Sequence, residues 1–319
     1  MPRRVLLTGA SGFVGQQLYP QLLAAGWEVR CGSRDGERRA QREPNKNWVA
    51  FDVDEDASVA AAVADATAIV YLVHAMGQQG DFEAKEHAAA ERLLRAAERA
   101  GVQRIVYLGG VAPLGAASKH LRSRLVTGEV LRSGSVPTIE LRAGMIIGAG
   151  SISWRMVRDL SARLPFMILP SWLQNHSQPI FIDDVAFALV RALDLPADVR
   201  GVFDLPGPET MTGEEILRRI SRLLGVRPYT VRVPVLTPRL SSYWLKLVTS
   251  ADLGVAQQLV EGLTSDLLAR NRNFHELTPD HAPTPFDTAA LRALSSGESH
   301  LSPGTRALEW TIQHLARRA

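Results

Sequence analysis

The chain has 319 residues, of which 46% are hydrophobic and 22% are charged, and its formal net charge is +3. This length and composition are typical of a globular protein with one large domain, or a domain and a smaller lobe. The single cysteine, Cys31, excludes an intramolecular disulfide and a cysteine-based zinc site. Basic residues are scattered without an aromatic stripe, so we expect no nucleic-acid partner. We find no signal peptide and no apolar segment of membrane-spanning length, so we expect a cytoplasmic protein.

Strand-like and helical runs alternate through the first half of the chain. The predicted strands are RVLLTGA, WEVRCGSR, WVAFDV, AIVYLVHAM, VQRIVYLGG and PTIELRAGMIIG, and the stretch SKHLRSR opens the helix before the last of them. AIVYLVHAM is apolar almost throughout, which is typical of a strand buried on both faces. The alternation predicts right-handed βαβ crossovers and a parallel sheet of the α/β class.

The pattern changes after about residue 150. SISWRMVRDLSARLP predicts a helix, and FMILPSWLQNHSQP predicts a loop-rich stretch. IFIDDVAFALVRALDL returns to a short strand and a helix, with Asp183 as its N-cap, and Thr212 with Glu215 fits a capping box. We therefore expect a main domain of residues 1–150 plus 180–205, and a smaller, mostly helical lobe of residues 151–179 plus 206–319.

The strongest local signal is LLTGASGFVG, in which Gly9, Gly12 and Gly15 follow the first strand and open the first helix. Glycines at this spacing allow a tight turn and let the backbone approach a pyrophosphate, while the helix N-terminus supplies free N–H groups and partial positive charge. Ser11 can add a hydroxyl. We predict a dinucleotide-binding loop; the alternative is a glycine-rich turn without a ligand.

The end of the second strand bears on which dinucleotide is bound. NAD sites usually carry an acid there for the ribose 2′-hydroxyl, whereas this chain has Ser33 and Arg34. A guanidinium suits a 2′-phosphate, so we predict NADP(H) in preference to NAD. NAD remains an alternative, because Asp35 is an acid one residue beyond Arg34. Asp52, after the third strand, is placed to meet the adenine amino group, or else to cap the next helix.

TGASGFVG, FDV after the third strand, FIDDVA and GPETMT together resemble the extended and atypical short-chain dehydrogenase/reductases, over roughly residues 3–225. VYLVHAMG, HLRSR and PVLTPRLSSYWLKLVT resemble an atypical, NmrA-like or epimerase-like subgroup. The resemblance implies a Rossmann-type doubly wound parallel sheet, NAD(P) on the main domain, and a small-molecule substrate beneath the C-terminal lobe. It implies cofactor contacts at Thr8, Gly9, Ser11, Gly12, Phe13, Val14, Gly15, Ser33, Arg34, Asp52, Val53, Leu72, Val73, His74, Arg124, Ala143, Gly144 and Met145.

The chain departs from that family at the catalytic positions. Most members carry a Ser or Thr after the fifth strand and Tyr-x-x-x-Lys on the next helix, whereas this chain has Gly109 and Gly110, and then His120-x-x-x-Arg124. An imidazole can transfer a proton, and a nearby Arg⁺ favours its neutral form. Arg124 can donate to ribose hydroxyls or to a substrate oxygen. We predict catalytic roles for His120 and Arg124; the alternative is two polar side chains on a solvated helix.

Other polar residues are weaker candidates. His74 ends the fourth predicted strand, where the family places residues against the cofactor, and it is either a third catalytic candidate or a rim histidine. The nearest tyrosines, Tyr71 and Tyr107, are predicted to be core residues. No group of His, Asp and Glu has metal-site spacing, so we expect no metal.

Three functions remain open. The first is an NADP(H)-dependent oxidoreductase on a small carbonyl-type substrate, with a proton from His120, His74 or water. The second is a sugar-nucleotide epimerase or dehydratase, which the loss of the Ser and the Tyr weakens. The third is a non-catalytic NAD(P)H-sensing or scaffold protein, which the same loss favours.

Overall fold

A computed structural model describes residues 3–74, 82–113, 115, 117–163, 166–233 and 265–296. Its strands are β1 (Arg4–Thr8), β2 (Glu28–Ser33), β3 (Asn47–Ala50), β4 (Ala68–Tyr71), β5 (Arg104–Gly110), β6 (Thr138–Ala143), β7 (Ile146–Ile147), β8 (Phe166–Pro170), β9 (His176–Ser177), β10 (Ile180–Phe181), β11 (Gly201–Asp204), β12 (Met211–Thr212), β13 (Tyr229–Val233) and β14 (Arg272–Asn273). Its α-helices are α1 (Phe13–Ala24), α2 (Gly36–Arg42), α3 (Asp56–Val63), α4 (Phe82–Ala100), α5 (Lys119–Ser133), α6 (Ile152–Arg163), α7 (Ile182–Asp194), α8 (Gly213–Leu223) and α9 (Phe286–Ser295).

The centre of the fold is an eight-stranded sheet in the order β14-β11-β6-β5-β4-β1-β2-β3, and every neighbouring pair is parallel. Chain order reverses between β1 and β4, which is where doubly wound sheets open a crevice for ligands at the carboxyl ends of their strands. The Rossmann-type α/β fold predicted from the sequence is therefore confirmed.

Alternating apolar side chains of each strand reach the two faces of this sheet. Val5 and Leu7 join a core with Leu18 of α1 and Leu189 of α7, whereas Leu6 faces a second core. That second core is built on α3, α4 and α5. Because both faces are covered, the strands need continuous apolar sequence, which explains the run in β4.

A third apolar core belongs to the later elements. Trp154 of α6, Ile220 of α8 and Phe286 of α9 are buried together there with Ile147 of β7. The loop-rich prediction for residues 166–179 is wrong in part, because β8 pairs with β13 and β9 pairs with β12. These partners lie more than thirty residues away, so the local sequence gives little sign of them.

One strand of the main sheet comes from an unexpected part of the chain. β14 pairs with β11 at the sheet edge, although we assigned its residues to the smaller lobe. Asp204, at the end of β11, is buried and accepts hydrogen bonds from the backbone N–H groups of Arg270 (2.5 Å) and Asn271 (2.7 Å), which fixes the approach to β14. The division into two domains otherwise stays a prediction, and PVLTPRLSSYWLKLVT (234–249) lies outside the described residues.

Two predictions about helix caps have different outcomes. The capping box of Thr212 and Glu215 is confirmed at the start of α8. The N-cap role of Asp183 is wrong, because β10 runs directly into α7 and Phe181 takes the cap position without a side-chain hydrogen bond. No helix of the described residues is long and apolar enough to cross a membrane.

Candidate functional site

The glycine loop after β1 is packed so closely that side chains are excluded from it. Gly9 has a φ of +65°, and its carbonyl oxygen accepts a hydrogen bond of 2.9 Å from the N–H of Gly12. A Cβ on Gly15 would lie 2.4 Å from that same oxygen and 2.7 Å from the Cα of Ala10. Only glycine therefore lets α1 approach the loop in this way.

Helix α1 presents its N-terminus at this loop. Gly12 is the cap residue and supplies no side-chain acceptor, so the first N–H groups of the helix carry no side-chain cap. The helix partial charge there favours an anion. Phe13, a predicted cofactor contact, turns its ring away: a Cβ on Gly148 would be 2.7 Å from its Cζ. The Val14 side chain likewise packs against the apolar cores. A ligand at the loop therefore meets the backbone of Phe13 and Val14 more than their side chains.

Thr8 and Leu72 connect the loop to the end of β4. Thr8 is fully buried; its hydroxyl donates to the carbonyl of Val70 (3.2 Å) and accepts from the N–H of Leu72 (3.0 Å). A Cβ on Gly9 would lie 3.1 Å from the Cβ of Leu72. The hydroxyl of Thr8 therefore orders the neighbouring strand end, a role that the sequence analysis did not foresee.

The predicted 2′-phosphate residues follow β2. The Ser33 hydroxyl accepts a 3.3 Å hydrogen bond from the N–H of Asp35, and Arg34 is exposed, with no acidic partner among the described residues. The arginine-rich stretch beyond them forms α2. Its first residue, Gly36, packs so closely that a Cβ would lie 2.8 Å from the backbone of β3.

Asp52 and Val53 lie in the turn after β3. A carboxylate oxygen of Asp52 accepts from the N–H of Asp54 at 3.0 Å, and its own N–H donates to the Ser58 hydroxyl at 2.9 Å. Helix α3 starts later, with Glu55 at its cap position, so the helix-cap alternative for Asp52 is wrong. The carbonyl of Val53 accepts from the Arg92 guanidinium.

Helix α5 carries the predicted catalytic pair beside the end of β5. Ser118 caps the helix by accepting from the N–H of Leu121. The Nη2 of Arg124 donates to the carbonyl of Leu108 at 2.9 Å, and the Tyr107 hydroxyl donates to the carbonyl of Arg124 at 3.1 Å. Arg124 is therefore held against β5 by its side chain and by its backbone, which contradicts the alternative of a freely solvated residue.

His74 and His120 meet next to this arginine. Their ring centroids are 6.2 Å apart, and Nδ1 of His74 donates to the carbonyl of Leu72 at 3.1 Å. Burial, followed by the Arg124 charge, lowers the pKa of His74 to about 3 and that of His120 to about 4. Both imidazoles are therefore neutral near pH 7.

Two buried nitrogen atoms in this cluster have no hydrogen-bond partner among the described residues: Nε of Arg124 and Nδ1 of His120. An unsatisfied buried polar group costs roughly 1–3 kcal/mol, and a ligand that bonded to these two atoms would remove that cost. The strand beside them ends in Gly109 and Gly110, which offer no side chain.

A buried carboxylate lies behind the cluster, and the sequence analysis missed it. Glu140 of β6 is fully buried and accepts hydrogen bonds from Nε of Arg132 (2.8 Å) and Nε of Arg142 (2.7 Å). A Cβ on Gly109 would lie 3.1 Å from one carboxylate oxygen, and a Cβ on Gly128 would lie 2.3 Å from the other. The signal was a Glu-x-Arg pair inside an otherwise apolar strand.

The residues after β6 complete the carboxyl edge of the sheet. The carbonyl of Ala143 accepts from Val111 at 3.3 Å, and that of Met145 accepts from Ile180 at 2.9 Å. A Cβ on Gly144 would lie 3.7 Å from the nearest backbone oxygen. Residues 143–145 are thus tied to both neighbouring segments.

The remaining candidates lie apart from this edge. Tyr71 and Tyr107 are each 2% exposed, so both are core residues as predicted, and burial raises the pKa of Tyr107 to about 12. The described residues hold no cluster of three metal-ligating side chains. A groove of about 440 Å³ between α4 and α5 is lined by residues such as His87 and Glu129, and by none of the predicted site residues.

Comparisons with known proteins point to the same type of fold. Residues 9–136 match the family model described as NAD(P)H-binding. A ceramide reductase of Caulobacter vibrioides is 25% identical over 98% of this chain and 97% of its own length. Triphenylmethane reductase of Citrobacter sp., solved with NADP(H), has a TM-score of 0.71 at 15% identity and covers 91% of this chain and 99% of its own. A nucleoside-diphosphate-sugar epimerase of Staphylococcus aureus has a TM-score of 0.69 at 17% identity, with 90% and 99% covered.

The chain therefore has a Rossmann-type fold, its residues 9–136 match an NAD(P)H-binding family model, and its structural neighbours include proteins named as a reductase and an epimerase. The predicted resemblance is confirmed at this level. The closely packed glycine loop and the uncapped helix N-terminus fit the pyrophosphate of a dinucleotide at the carboxyl edge of the sheet. The unpartnered nitrogen atoms of His120 and Arg124 lie on the neighbouring helix α5.

Proposed function

We propose that the protein is an NADP(H)-dependent oxidoreductase that acts on a carbonyl-type substrate. The supporting observation is a continuous line of contacts through Leu72. Gly9 packs against this residue on the loop side, and the Leu72 carbonyl accepts the hydrogen bond of His74, which meets His120 beside Arg124. The dinucleotide loop and the polar cluster thus share one edge of the sheet.

In this proposal the glycine loop and the N-terminus of α1 would hold the pyrophosphate. Ser33 and Arg34 would hold the 2′-phosphate, and Asp52 with Val53 would contact the adenine. Leu72, Val73 and residues 143–145 would line the nicotinamide end. When bound, the cofactor supplies or accepts hydride, and the protein supplies orientation and electrostatics.

The polar cluster then orients the substrate oxygen. Because its pKa is about 4, His120 is neutral near pH 7 and can donate or accept a hydrogen bond, but its imidazolium form is too scarce there to be the main proton donor. His74 presents Nε2 as an acceptor, because its Nδ1 donates to Leu72. The Arg124 guanidinium can polarise an oxygen. The proton for the substrate oxygen then comes from solvent water, either directly or through a neutral imidazole that takes up a proton at one nitrogen as it releases one from the other.

The relatives support a reductase more than an epimerase. One relative that matches along nearly the whole chain is named a ceramide reductase. The likenesses to a reductase structure at 15% identity and to an epimerase structure at 17% identity concern the fold. A hydroxyl residue and a tyrosine base, which the family resemblance implies for epimerases and dehydratases, are replaced here by Gly109, Gly110 and His120.

The non-catalytic alternative rests on the same replacement. If the protein only senses or stores the dinucleotide, the His120 cluster contributes to cofactor binding without turnover. Binding and turnover therefore have to be measured separately.

The test begins with calorimetric titration of NADPH, NADP⁺, NADH and NAD⁺. We expect NADPH and NADP⁺, which carry the 2′-phosphate, to bind more tightly than NADH and NAD⁺. In Arg34→Ala the affinity for NADPH is expected to fall at least about tenfold, because a charge-assisted phosphate contact contributes about 1.5–3 kcal/mol. The control Arg42→Ala removes an exposed arginine at the other end of α2. Absence of binding to all four nucleotides contradicts the proposal.

The second stage follows NADPH oxidation with a panel of ketones, 2-oxo acids, and a ceramide-type lipid that carries a ketone in place of one hydroxyl. Turnover that His120→Ala reduces at least about tenfold supports the enzymatic proposal, since general acid–base or hydrogen-bonding groups contribute factors of about 10²–10⁴. Tight NADPH binding without turnover of any compound favours the sensing alternative.

A further inference from the structure

Arg124 differs from the other arginines around it because it has no carboxylate partner among the described residues. Arg122, on the same helix, pairs with Glu83 at 2.9 Å, and both Arg132 and Arg142 pair with Glu140. Arg124 instead donates one Nη2 hydrogen to a backbone carbonyl, and its Nε is buried without an acceptor. Its charge is therefore fixed in place and not balanced by an acid.

The groups packed around this guanidinium do not balance the charge either. His74 and His120 are neutral near pH 7, and Tyr107 points its hydroxyl at the Arg124 carbonyl. On α4, Glu86 accepts from Ser123, and behind β5 the Glu140 carboxylate already binds two arginines. A partly buried cation without a counter-ion is costly, and a bound anion would offset that cost.

The end of β5 places no side chain of its own beside the guanidinium. A Cβ on Gly110 would lie 3.9 Å from Nε of Arg124 and 2.7 Å from Cδ1 of Leu121, so a group entering here requires the Leu121 side chain to turn aside. Nδ1 of His120, one helical turn before Arg124, is the second unpartnered atom of this region. Nε of Arg124 and Nδ1 of His120 therefore both lack a partner among the described residues, next to the end of β5, where Gly110 has no side chain.

We infer that Arg124 and His120 form a binding site for a carboxylate, and that the substrate is a carbonyl compound that bears one, such as a 2-oxo or 3-oxo acid. The planar guanidinium offers parallel N–H donors that match two carboxylate oxygens. His120 adds a third hydrogen bond. The inference rests on the proposed function, since the carboxylate places the neighbouring carbonyl at the carboxyl edge of the sheet.

The test uses oxamate, a carboxylate beside a carbonyl, and its neutral analogue oxamide, without and with saturating NADPH. Side-chain ¹⁵N NMR follows the imidazoles of His74 and His120, and calorimetry gives the affinity. We expect oxamate to bind and to raise the pKa of His120 by about one unit, because the anion offsets the Arg124 charge. Oxamide is expected to leave both imidazole spectra unchanged.

Two variants separate the site from general charge effects. Arg124→Gln is expected to weaken oxamate binding at least about tenfold, whereas Arg122→Gln, on the exposed side of the same helix, is expected to change it less than twofold. Gly110→Ser places a hydroxyl near Nε of Arg124 and is expected to weaken oxamate binding without unfolding the protein. It keeps the test decisive if Arg124→Gln does not fold.

The results that overturn the inference differ from those that overturn the proposed function. Oxamate that leaves the His120 signal unchanged, or binds equally to Arg124→Gln, contradicts the carboxylate site even where NADPH binds. Oxamate that NADPH displaces also contradicts it, because Arg124 then serves the cofactor. If the protein binds oxamate but does not bind NADPH, the proposed oxidoreductase function is contradicted and the carboxylate site is supported.

Discussion

Gly15 and Gly9 approach each other so closely that one added methyl group at Gly15 would stand 2.4 Å from the Gly9 carbonyl oxygen. The contact is between backbone atoms, so no side chain can rotate to relieve it. The first turn of α1 and the glycine loop are therefore one rigid unit.

Gly15→Ala is expected to move α1 away from the loop. Overpacking of this kind costs about 1–3 kcal/mol of unfolding free energy, and we expect NADPH affinity to fall at least about tenfold because the helix N-terminus shifts. Urea unfolding and calorimetry measure the two effects. Gln17→Ala, on the exposed face of the same helix, is the matched control. Unchanged NADPH affinity in Gly15→Ala contradicts the placement of the pyrophosphate.

The histidine cluster predicts how stability depends on pH. Both imidazoles have a folded-state pKa below the unfolded value near 6.5, at about 3 for His74 and about 4 for His120. Between each folded-state pKa and the unfolded value of about 6.5, the unfolded chain binds more protons than the folded chain. The folded state therefore has its full stability above pH 6.5 and loses part of it as the pH falls toward 4. Allowing for partial exposure, we expect about 1–3 kcal/mol to be lost over this range.

Chemical denaturation at half-unit pH steps measures this loss. The double variant His74→Gln with His120→Gln removes both titrating groups and is expected to flatten the profile between pH 4 and 6.5. A profile identical to that of the wild type assigns the pH dependence to other groups.

Tyr107 is expected to be structural, although it is one of the tyrosines nearest the catalytic positions. Burial raises its pKa to about 12 and its hydroxyl donates to the Arg124 carbonyl, so Tyr107 holds its proton and is a poor acid near pH 7. Tyr107→Phe should cost about 1 kcal/mol of stability and change turnover less than about fivefold. Denaturation and steady-state kinetics test this, and a loss of turnover beyond about a hundredfold at retained stability assigns Tyr107 to the chemistry.

The contact between Gly128 of α5 and the buried Glu140 of β6 predicts that substitutions at these two positions are energetically coupled. Gly128→Ala pushes a methyl group into the carboxylate, where it would lie 2.3 Å from an oxygen, and we expect about 2–4 kcal/mol of destabilisation. In a Glu140→Ala background the same change should cost less than 1 kcal/mol, since the obstruction is gone. A double-mutant cycle by urea unfolding measures the coupling energy, and additive costs contradict the packing described.

Much of the main sheet could be predicted because its signals are local. The glycine spacing places α1, the apolar runs place β1 to β6, and Gly26, at a φ of +80°, ends α1 as its sequence suggests. β14 and the β8–β13 pair could not be predicted, because their partners are distant in sequence and the strands are short or flanked by prolines. Asp183 was misread because a strand that runs straight into a helix leaves no separate cap residue.

The site could be predicted by position more than by chemistry. The spacing of His120 and Arg124 locates them on one helix face, but the sequence does not show that Arg124 has no acidic partner in the described part of the chain, or that the Thr8 hydroxyl bonds to β4. These facts depend on contacts between elements that are tens of residues apart. The pairing of Glu140 with an arginine could be predicted in part, since a charged residue inside a buried strand requires a partner of opposite charge.

The Glu140 carboxylate also links positions that lie on three different elements. It fills the space beside both Gly109 and Gly128, so a larger residue at either position meets it. A hydroxyl residue at position 109 is therefore accommodated only if the acid moves, and removing the acid takes from Arg132 and Arg142 the carboxylate that both bind. Building the usual hydroxyl residue into the end of β5 thus requires a compensating change on β6, and a substitution at position 109 alone is expected to lower stability.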